Sequence, residues 1–352
     1  MVRVGVIGFG LAGQAFHAPV IRGVAGMELA CILERHTSRA KVKYPNVRVA
    51  RTLDEMLADE KINLVVVATP NDSHFSLTKA CLEAGRHVVV DKPFAPTMKE
   101  CEELVRFAAA RKRLITVYHD RRYDGTFHTV RKLVESGTLG KIAEYESRFD
   151  RFRLDAKPNA WRERADQPGA GVLFDLGPHL IDQALILFGE PQTITASAIC
   201  QRPTSEVDDA FDVFMEYPGL RALLRARIVA YAPGPSTLVH GTKGSFLKYG
   251  MDPQEERLRN GNFPDGTDWG ADWGEDPEPL WGTLSLGGQP SRKIRTERGD
   301  YRAFYANVRD AIEKGAPLEV TPEQSLRAMR AILLAHKSSR EQRTVRWDEP
   351  PE

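Results

Sequence analysis

Cysteine is scarce in this chain, with four residues in 352. Cys31, Cys81, Cys101 and Cys200 form no C-x-x-C pair and no metal-like grouping with histidine, which excludes a disulfide scaffold or a zinc module. They read as buried, reduced thiols, and no metal ligand is assigned. Net charge is also missing. Forty-nine basic residues stand against 48 acidic ones, leaving +1, so no overall field draws the chain to nucleic acid or an anionic membrane. No run of 18 apolar residues exists to cross a bilayer. Met1 leads straight into VRVGVIG, with no signal-peptide pattern, so the expected compartment is the cytoplasm. Internal repeats and low-complexity tracts are absent as well. What remains is a globular composition, 42% hydrophobic and 28% charged, with length enough for about two domains.

The first 118 residues alternate short apolar runs with helix-like segments. Val2–Ile7, Leu29–Leu33, Val47–Ala50, Leu64–Ala68, His87–Val90 and Leu114–Tyr118 are continuous rather than alternating, as strands buried on both faces are. Thr52–Glu55 and Thr97–Glu100 match the capping box, and Gly85 sits where a helix C-cap is wanted. Strand and helix in alternation predict an α/β fold with a doubly wound parallel sheet over residues 1–120. From 121 to 352 the texture changes. A helix at Thr126–Ser136 precedes strands over 143–154, Thr193–Cys200, Ala210–Tyr217 and Ala222–Ala230, then a hairpin turning at Gly241 and Gly244. Strands without intervening helices predict a mostly antiparallel sheet. Met251–Arg298, rich in Gly, Asp, Pro and Trp, reads as a long excursion, and two helices close the chain, the second from the Thr321–Gln324 capping box.

Gly8-Phe9-Gly10-Leu11-Ala12-Gly13 follows the first strand and opens a helix, which is the setting a dinucleotide fingerprint needs. Its glycines allow a tight turn, backbone approach to a pyrophosphate, and close helix–strand packing. At the end of the second strand Glu34 could accept from a ribose 2′-OH and would repel a 2′-phosphate. Arg35, His36 and Arg39 in the same turn could hold that phosphate, so NAD(H) and NADP(H) both stay open. Thr69, Pro70, Asn71 and His74 leave the fourth long strand on the edge where ligands bind in open α/β sheets; for His74 a helix-capping role is equally consistent.

Two further stretches carry chemistry. In VVVDKPF, Lys92 leaves a buried strand beside Asp91 and before Pro93. A partly buried ammonium there could polarise a substrate oxygen or pass its proton. In GVLFDLGPHLIDQ, Pro178 suits a helix first turn, placing Asp175 just before the helix and His179 inside it. An imidazole and a carboxylate so close can work as a pair.

GFGLAG, TPNDSH, DKP and GVLFDLGPHLIDQ, in this order and spacing, resemble the Gfo/Idh/MocA family of NAD(P)-dependent oxidoreductases over essentially the whole chain. YHDRRYDGTF, SRFDRFR and HGTKGSFLKYGMDPQEERL resemble the subgroup that contains scyllo-inositol dehydrogenases. The resemblance implies an N-terminal Rossmann domain and a C-terminal α/β domain whose large, mostly antiparallel open sheet makes homodimer or homotetramer contacts. It implies catalytic roles for Lys92, Asp175 and His179, with D-K-P in place of the family's E-K-P. The implied reaction moves a hydride between the nicotinamide and a secondary alcohol or ketone of a sugar or cyclic polyol. Tyr118, Arg122, Tyr123, Arg153, Trp161 and Arg162 offer donors and flat apolar surface for such a substrate. Two other readings share the fold: an NAD-dependent glycosidase that oxidises its substrate transiently, and a cofactor-sensing regulator without catalysis. Neither partner class beyond a small molecule, nucleic acid or membrane, is expected.

Overall fold

The apolar runs of the first half end where charged or turn-forming residues begin, and the strands end with them. The computed structural model describes residues 1–156 and 160–352. β1 (Val2–Ile7), β2 (Met27–Leu33), β3 (Arg48–Ala50), β4 (Leu64–Val67), β5 (His87–Val90) and β6 (Ile115–Val117) form one sheet in the order β3-β2-β1-β4-β5-β6. Every pairing in it is parallel. All four residues of β4 and all three valines of β5 are buried, as a sheet covered on both faces requires. The chain builds outward from β1 to β3 and then returns to β4 on the other side, so loops part between β1 and β4. That is the switch point where doubly wound sheets bind ligands.

Helix starts obey local chemistry. Thr97 Oγ1 accepts from Glu100 N–H at 3.3 Å while Glu100 accepts from Thr97 N–H at 3.1 Å. Thr321 and Gln324 make the same reciprocal pair ahead of the helix Pro322–Glu341. Gly85 takes φ +75° just past the helix His74–Glu83.

The second sheet has nine strands: β7 (Ile142–Asp150), β8 (Thr193–Ile199), β9 (Ala210–Tyr217), β10 (Leu220–Arg227), β11 (Thr237–Gly241), β12 (Gly244–Lys248), β13 (Gly282–Leu286), β14 (Arg292–Ile294) and β15 (Val345–Arg346). Their order is β14-β13-β12-β11-β7-β10-β9-β8-β15. β7 and β10 run parallel, and every other pairing is antiparallel. Buried and half-buried residues alternate along β9 and β10, the mark of a sheet with one face packed and one open.

Met251–Arg298 is more structured than a long excursion. It holds the helix Pro253–Arg259 together with β13 and β14. Turn-forming residues hide these elements in the sequence, and Gly282 is there because a Cβ would lie 2.2 Å from the Phe246 ring on the neighbouring strand. The chain divides into two compact units. The first comprises Met1–Tyr123, Pro253–Trp273 and Asp300–Leu326; the second comprises Asp124–Asp252, Gly274–Gly299 and Arg327–Glu352. The first break lies close to residue 120, but two later segments rejoin the first unit. They bring Trp269, Trp273, Tyr301, Phe304 and Tyr305 into its core. Gln254, fully buried, accepts from Trp273 Nε1 and Tyr301 N–H at 3.2 and 2.8 Å, tying both segments together.

Candidate active site

In the first unit the functional residues lie on loops at the carboxyl ends of parallel strands, so they share one edge. Each glycine of the loop after β1 has its own reason. Gly8 has φ +95°, and a Cβ on it would sit 2.5 Å from the Ala68 carbonyl oxygen; one on Gly13 would sit 2.2 Å from the Gly8 oxygen. A Cβ on Gly10 would meet nothing within 4 Å. No protein atom therefore forbids a side chain at Gly10, and the open space in front of its backbone fits an approaching pyrophosphate. Phe9 is buried and Leu11 is half exposed, while Gln14 Nε2 holds the loop through the Phe9 carbonyl at 2.6 Å. Ala12 begins a π-helical stretch that runs to His17.

Glu34 does not hang free at the end of β2. Only 5% exposed, its carboxylate accepts from Thr37 Oγ1, from Arg39 N–H at 3.2 Å and from Ala40 N–H at 3.0 Å. Burial works against its charge, and these donors outweigh it and lower its pKa. With Arg39 Nε as a further donor, Oε1 receives three of these bonds and Oε2 one, so the carboxylate organises its own loop. The next five residues, Arg35 to Arg39, are all exposed. The Arg51 guanidinium donates to the Glu34 carbonyl at 2.6 Å and to the Thr37 carbonyl, stapling the turn from beneath.

The loops after β4 and β5 are joined by His74. It is fully buried, with Nδ1 2.9 Å from the Pro93 carbonyl and Nε2 3.0 Å from that of Thr69. Its ring thus cross-links two strand ends, more than a helix cap would do. Asn71 is buried, while Thr69 and Pro70 stand at the rim. Lys92 is half-buried, and its N–H donates to Asp91 Oδ1 at 2.8 Å; the Lys92–Pro93 bond is cis. Burial would raise the Asp91 pKa, but His17, Lys92 and His74 around it win and hold it at about 2. At the exit of β6, burial pushes the Asp120 carboxyl up to about 6.

Tyr118, Arg122 and Tyr123 lie inside the first unit rather than on a free rim. Tyr118 is 2% exposed and its hydroxyl donates to the Phe16 carbonyl at 2.9 Å. Arg122 donates to the Glu319 carbonyl and to Gln324 Oε1, and Tyr123 to the Glu319 carboxylate. Their polar atoms serve the core, so the polyol contact expected of them has no support in this placement.

In the second unit one helix, Val172–Phe188, carries Asp175 and His179. It starts six residues before Pro178, earlier than that proline suggested. The true start is set by Gly171, at φ +95°, and by Asp208 from the strand-end loop ahead of β9. Asp208 Oδ2 accepts from Leu173 N–H at 2.7 Å, and its carbonyl accepts from Val172 N–H at 2.9 Å. These bonds satisfy donors that a helix start leaves open, and the helix then continues through the proline. Asp175 falls in the first turn and His179 one turn later, so both sit on one face at an i, i+4 spacing. Asp182 is buried one further turn along.

The Arg162 guanidinium lies 3.1 Å from Asp175 Oδ1 and 4.4 Å from the Trp161 ring centroid. Three expected residues, Trp161, Arg162 and Asp175, are therefore brought together. Arg153 pairs with Glu163, which also meets the buried Arg202–Asp209 pair; it belongs to the support of this loop. Among the described residues no group of His, Cys, Asp and Glu could hold a metal ion, and no helix is long and apolar enough to cross a membrane. Sequence reasoning missed Asp208 and His17. Asp208 carries no local signal, since its partners are 35 positions away. His17 could have been noticed as a lone imidazole in the apolar stretch after the fingerprint.

Comparison with known proteins agrees with this geometry. Residues 2–119 match the NAD-binding Rossmann fold of an oxidoreductase family, and residues 131–346 match its C-terminal alpha/beta domain. The chain is 40% identical to the uncharacterized oxidoreductase YdgJ of Escherichia coli, covering 98% of each protein. It is 37% identical to the NADP(+)-dependent scyllo-inositol 2-dehydrogenase IolW of Bacillus subtilis, over 98% of this chain and 95% of that one. Among solved structures, the Bacillus subtilis protein yvaA superposes with a TM-score of 0.92 at 36% identity, over 98% of each chain. An oxidoreductase from Bacillus cereus gives 0.87 at 30%, over 99% of each. With a nucleotide-binding sheet, a cradle open at Gly10 and both halves matched, this chain belongs to the Gfo/Idh/MocA family of NAD(P)-dependent oxidoreductases.

Proposed function

We propose that the chain is an NADP(H)-dependent dehydrogenase, or reductase in the reverse direction, acting on a secondary alcohol of an inositol-like polyol or a sugar. The observation that carries the reading is Lys92, a half-buried lysine two residues beyond a buried strand of a dinucleotide-binding sheet, anchored through the Asp91 carboxylate. The nicotinamide, when bound, accepts or returns the hydride. Lys92 polarises the reacting oxygen with its ammonium. His179 takes the hydroxyl proton in oxidation and gives it back in reduction, and Asp175 tunes that imidazole from the preceding turn. Trp161 and Arg162 supply a flat face and donors for ring hydroxyls.

The choice of NADP(H) rests on Glu34. Its carboxylate stays ionised but is turned into its own loop by Thr37, Arg39 and Ala40, where the Arg39 guanidinium pairs with it at 3.4 Å. The exposed Arg35, His36 and Arg39 remain as phosphate donors, and IolW, at 37% identity, is named for NADP(+). The open face of the nine-stranded sheet, with half-buried Arg225, Arg227 and Asp212 paired across strands, is assigned to contact between copies of the chain.

Fluorescence titration with NADPH and NADH, followed by assay with scyllo-inositol and NADP⁺, tests the reading. NADPH is expected to bind at least tenfold more tightly, and Arg39→Ala to remove most of that difference. Lys92→Ala and His179→Ala are each expected to lower kcat by about 10²–10⁴-fold with cofactor binding retained. Equal affinity for both cofactors removes the Glu34 argument, and normal turnover in either variant removes the catalytic one.

A further inference from the structure

His17 is a titratable group for which hydride transfer as described has no use, and it lies fully buried behind the edge that carries Lys92. It closes the π-helical stretch Ala12–His17. Such widened turns release backbone groups from the regular helical pattern, and here the Phe16 carbonyl accepts from Tyr118 Oη at 2.9 Å. The His17 ring packs on Tyr118, 4.4 Å between centroids, and Nδ1 lies 2.6 Å from Tyr305 Oη. Nε2 has no hydrogen-bond partner; the group it faces is Asp91, whose Oδ2 is 3.8 Å away.

The ring's proton can be placed from these contacts. Burial raises the Tyr305 hydroxyl well above the ordinary phenol range, so it stays protonated and can donate to Nδ1. A bare nitrogen facing a carboxylate would be repelled, whereas Nε2–H is attracted. A hydroxyl can donate or accept, so the Tyr305 contact fits either tautomer; the Asp91 carboxylate decides and places the proton on Nε2. The separation of 3.8 Å is longer than a hydrogen bond. In surroundings where both side chains are buried, a dipole aimed at a carboxylate still acts strongly over that distance. The other charged or titratable groups around Asp91 are His74, Lys92, Tyr118 and Asp120.

We propose that His17 is a positioning residue for Lys92: its Nε2–H holds Asp91 Oδ2 so that Oδ1 stays on the Lys92 N–H and fixes the backbone from which the ammonium projects. Four residues thus form one directed chain, from Tyr305 Oη to His17, from His17 to Asp91, and from Lys92 N–H back to Asp91. The inference rests on the reading that Lys92 touches the substrate.

The first test needs no substrate. In ¹⁵N-labelled protein the His17 ring, assigned by its loss in His17→Phe, is expected as the Nε2–H tautomer with Nδ1 unprotonated; a proton on Nδ1 overturns the proposal. The second is kinetic, with scyllo-inositol, NADP⁺ and the variants His17→Phe, Asp91→Asn and the double variant. Loss of an interaction with a charged group predicts a kcat lower by on the order of 10- to 100-fold in each single variant. The double variant should be no worse than the poorer single one, with NADPH affinity within about twofold of wild type throughout. Multiplicative losses, or a loss confined to cofactor affinity, overturn it. Tyr305→Phe, a milder change, covers the case in which His17→Phe fails to fold, and should lower kcat in the same direction by less. Lys92→Ala separates the two readings: if it turns over normally the catalytic reading has failed, whereas an inactive Lys92→Ala beside a fully active His17→Phe condemns this inference alone.

Discussion

Two enclosed aspartates, one in each unit, respond to burial in opposite directions. Asp91, at the exit of β5, is held at about 2, and Asp208, at the start of the helix Val172–Phe188, is pushed up to about 6. Desolvation acts first and in the same sense on both. The difference lies in the neighbours. Asp91 is faced by two imidazoles and a lysine, whereas Asp208 has only backbone N–H groups, with the negative Asp209 beside it. Donors at Asp91 are joined by the Lys92 charge and outweigh burial, whereas at Asp208 the backbone N–H groups work against a neighbouring negative charge and do not. Each unit thus uses a carboxylate to place an element proposed to be catalytic, a lysine in one and a helix in the other, at different electrostatic cost.

The largest way to break the comparison is Asp91→Ala. It leaves the Lys92 N–H, His17 and His74 without their shared anion, and removing one partner from a buried charged cluster costs about 3–5 kcal/mol. Urea denaturation should show that loss, and turnover should fall along with it; a loss under 1 kcal/mol would mean that the cluster does not hold the edge. Next is Gly171→Ala. Its Cβ would lie 2.0 Å from Asp208 Oδ1 at a backbone φ of +95°, so strain of roughly 1–3 kcal/mol is expected. Asp208→Ala should cost about 1–2 kcal/mol, the usual worth of a helix cap, and should lower kcat because Asp175 and His179 ride on that helix.

The smallest effect is also the most discriminating, because it depends on sign. Asp208 has a folded pKa above its unfolded value, so its favourable contribution is complete below about 3.8 and is lost as pH rises through about 6. Asp91 has a depressed folded pKa, so its contribution is present above about 3.8 and is lost as pH falls towards about 2. Urea midpoints measured from pH 2 to 8 for wild type, Asp208→Asn and Asp91→Asn should show the wild-type advantage over Asp208→Asn shrinking as pH rises from about 3.8 to about 6, and that over Asp91→Asn shrinking as pH falls from about 3.8 towards about 2. Parallel curves would refute the contrast.

Much of the first sheet was readable because a strand buried on both faces must be written in apolar residues. Val2–Ile7 and His87–Val90 have the predicted limits, and Ala210–Tyr217 in the second sheet does too. The start of the helix Val172–Phe188 was not readable. Pro178 is a strong local sign of a helix beginning, and it was outweighed by a cap supplied from Asp208. Glu34 shows the same limit at the end of β2. An acid at the end of β2 reads as a ribose clamp, but the hydroxyl and N–H groups that occupy it come from the turn's own geometry, which no spacing rule reveals. Lys92, Asp175 and His179 were conspicuous because their surroundings are apolar or short in range. The groups behind them, His17 and Asp208, act across the fold, and local pattern carries no trace of that.

The rejoining of residues 253–273 and 300–326 with the first unit has a consequence for how this protein is made. Tyr305 meets His17 across 288 positions of chain, and Trp269, Trp273 and Phe304 fill the same core. At roughly 5–20 residues per second, a ribosome that has finished β6 needs on the order of ten to forty seconds more to deliver them. During that interval the nascent nucleotide-binding half has its sheet but lacks part of its interior. Its apolar surface then stands open until residues 253–273 and 300–326 arrive to cover it.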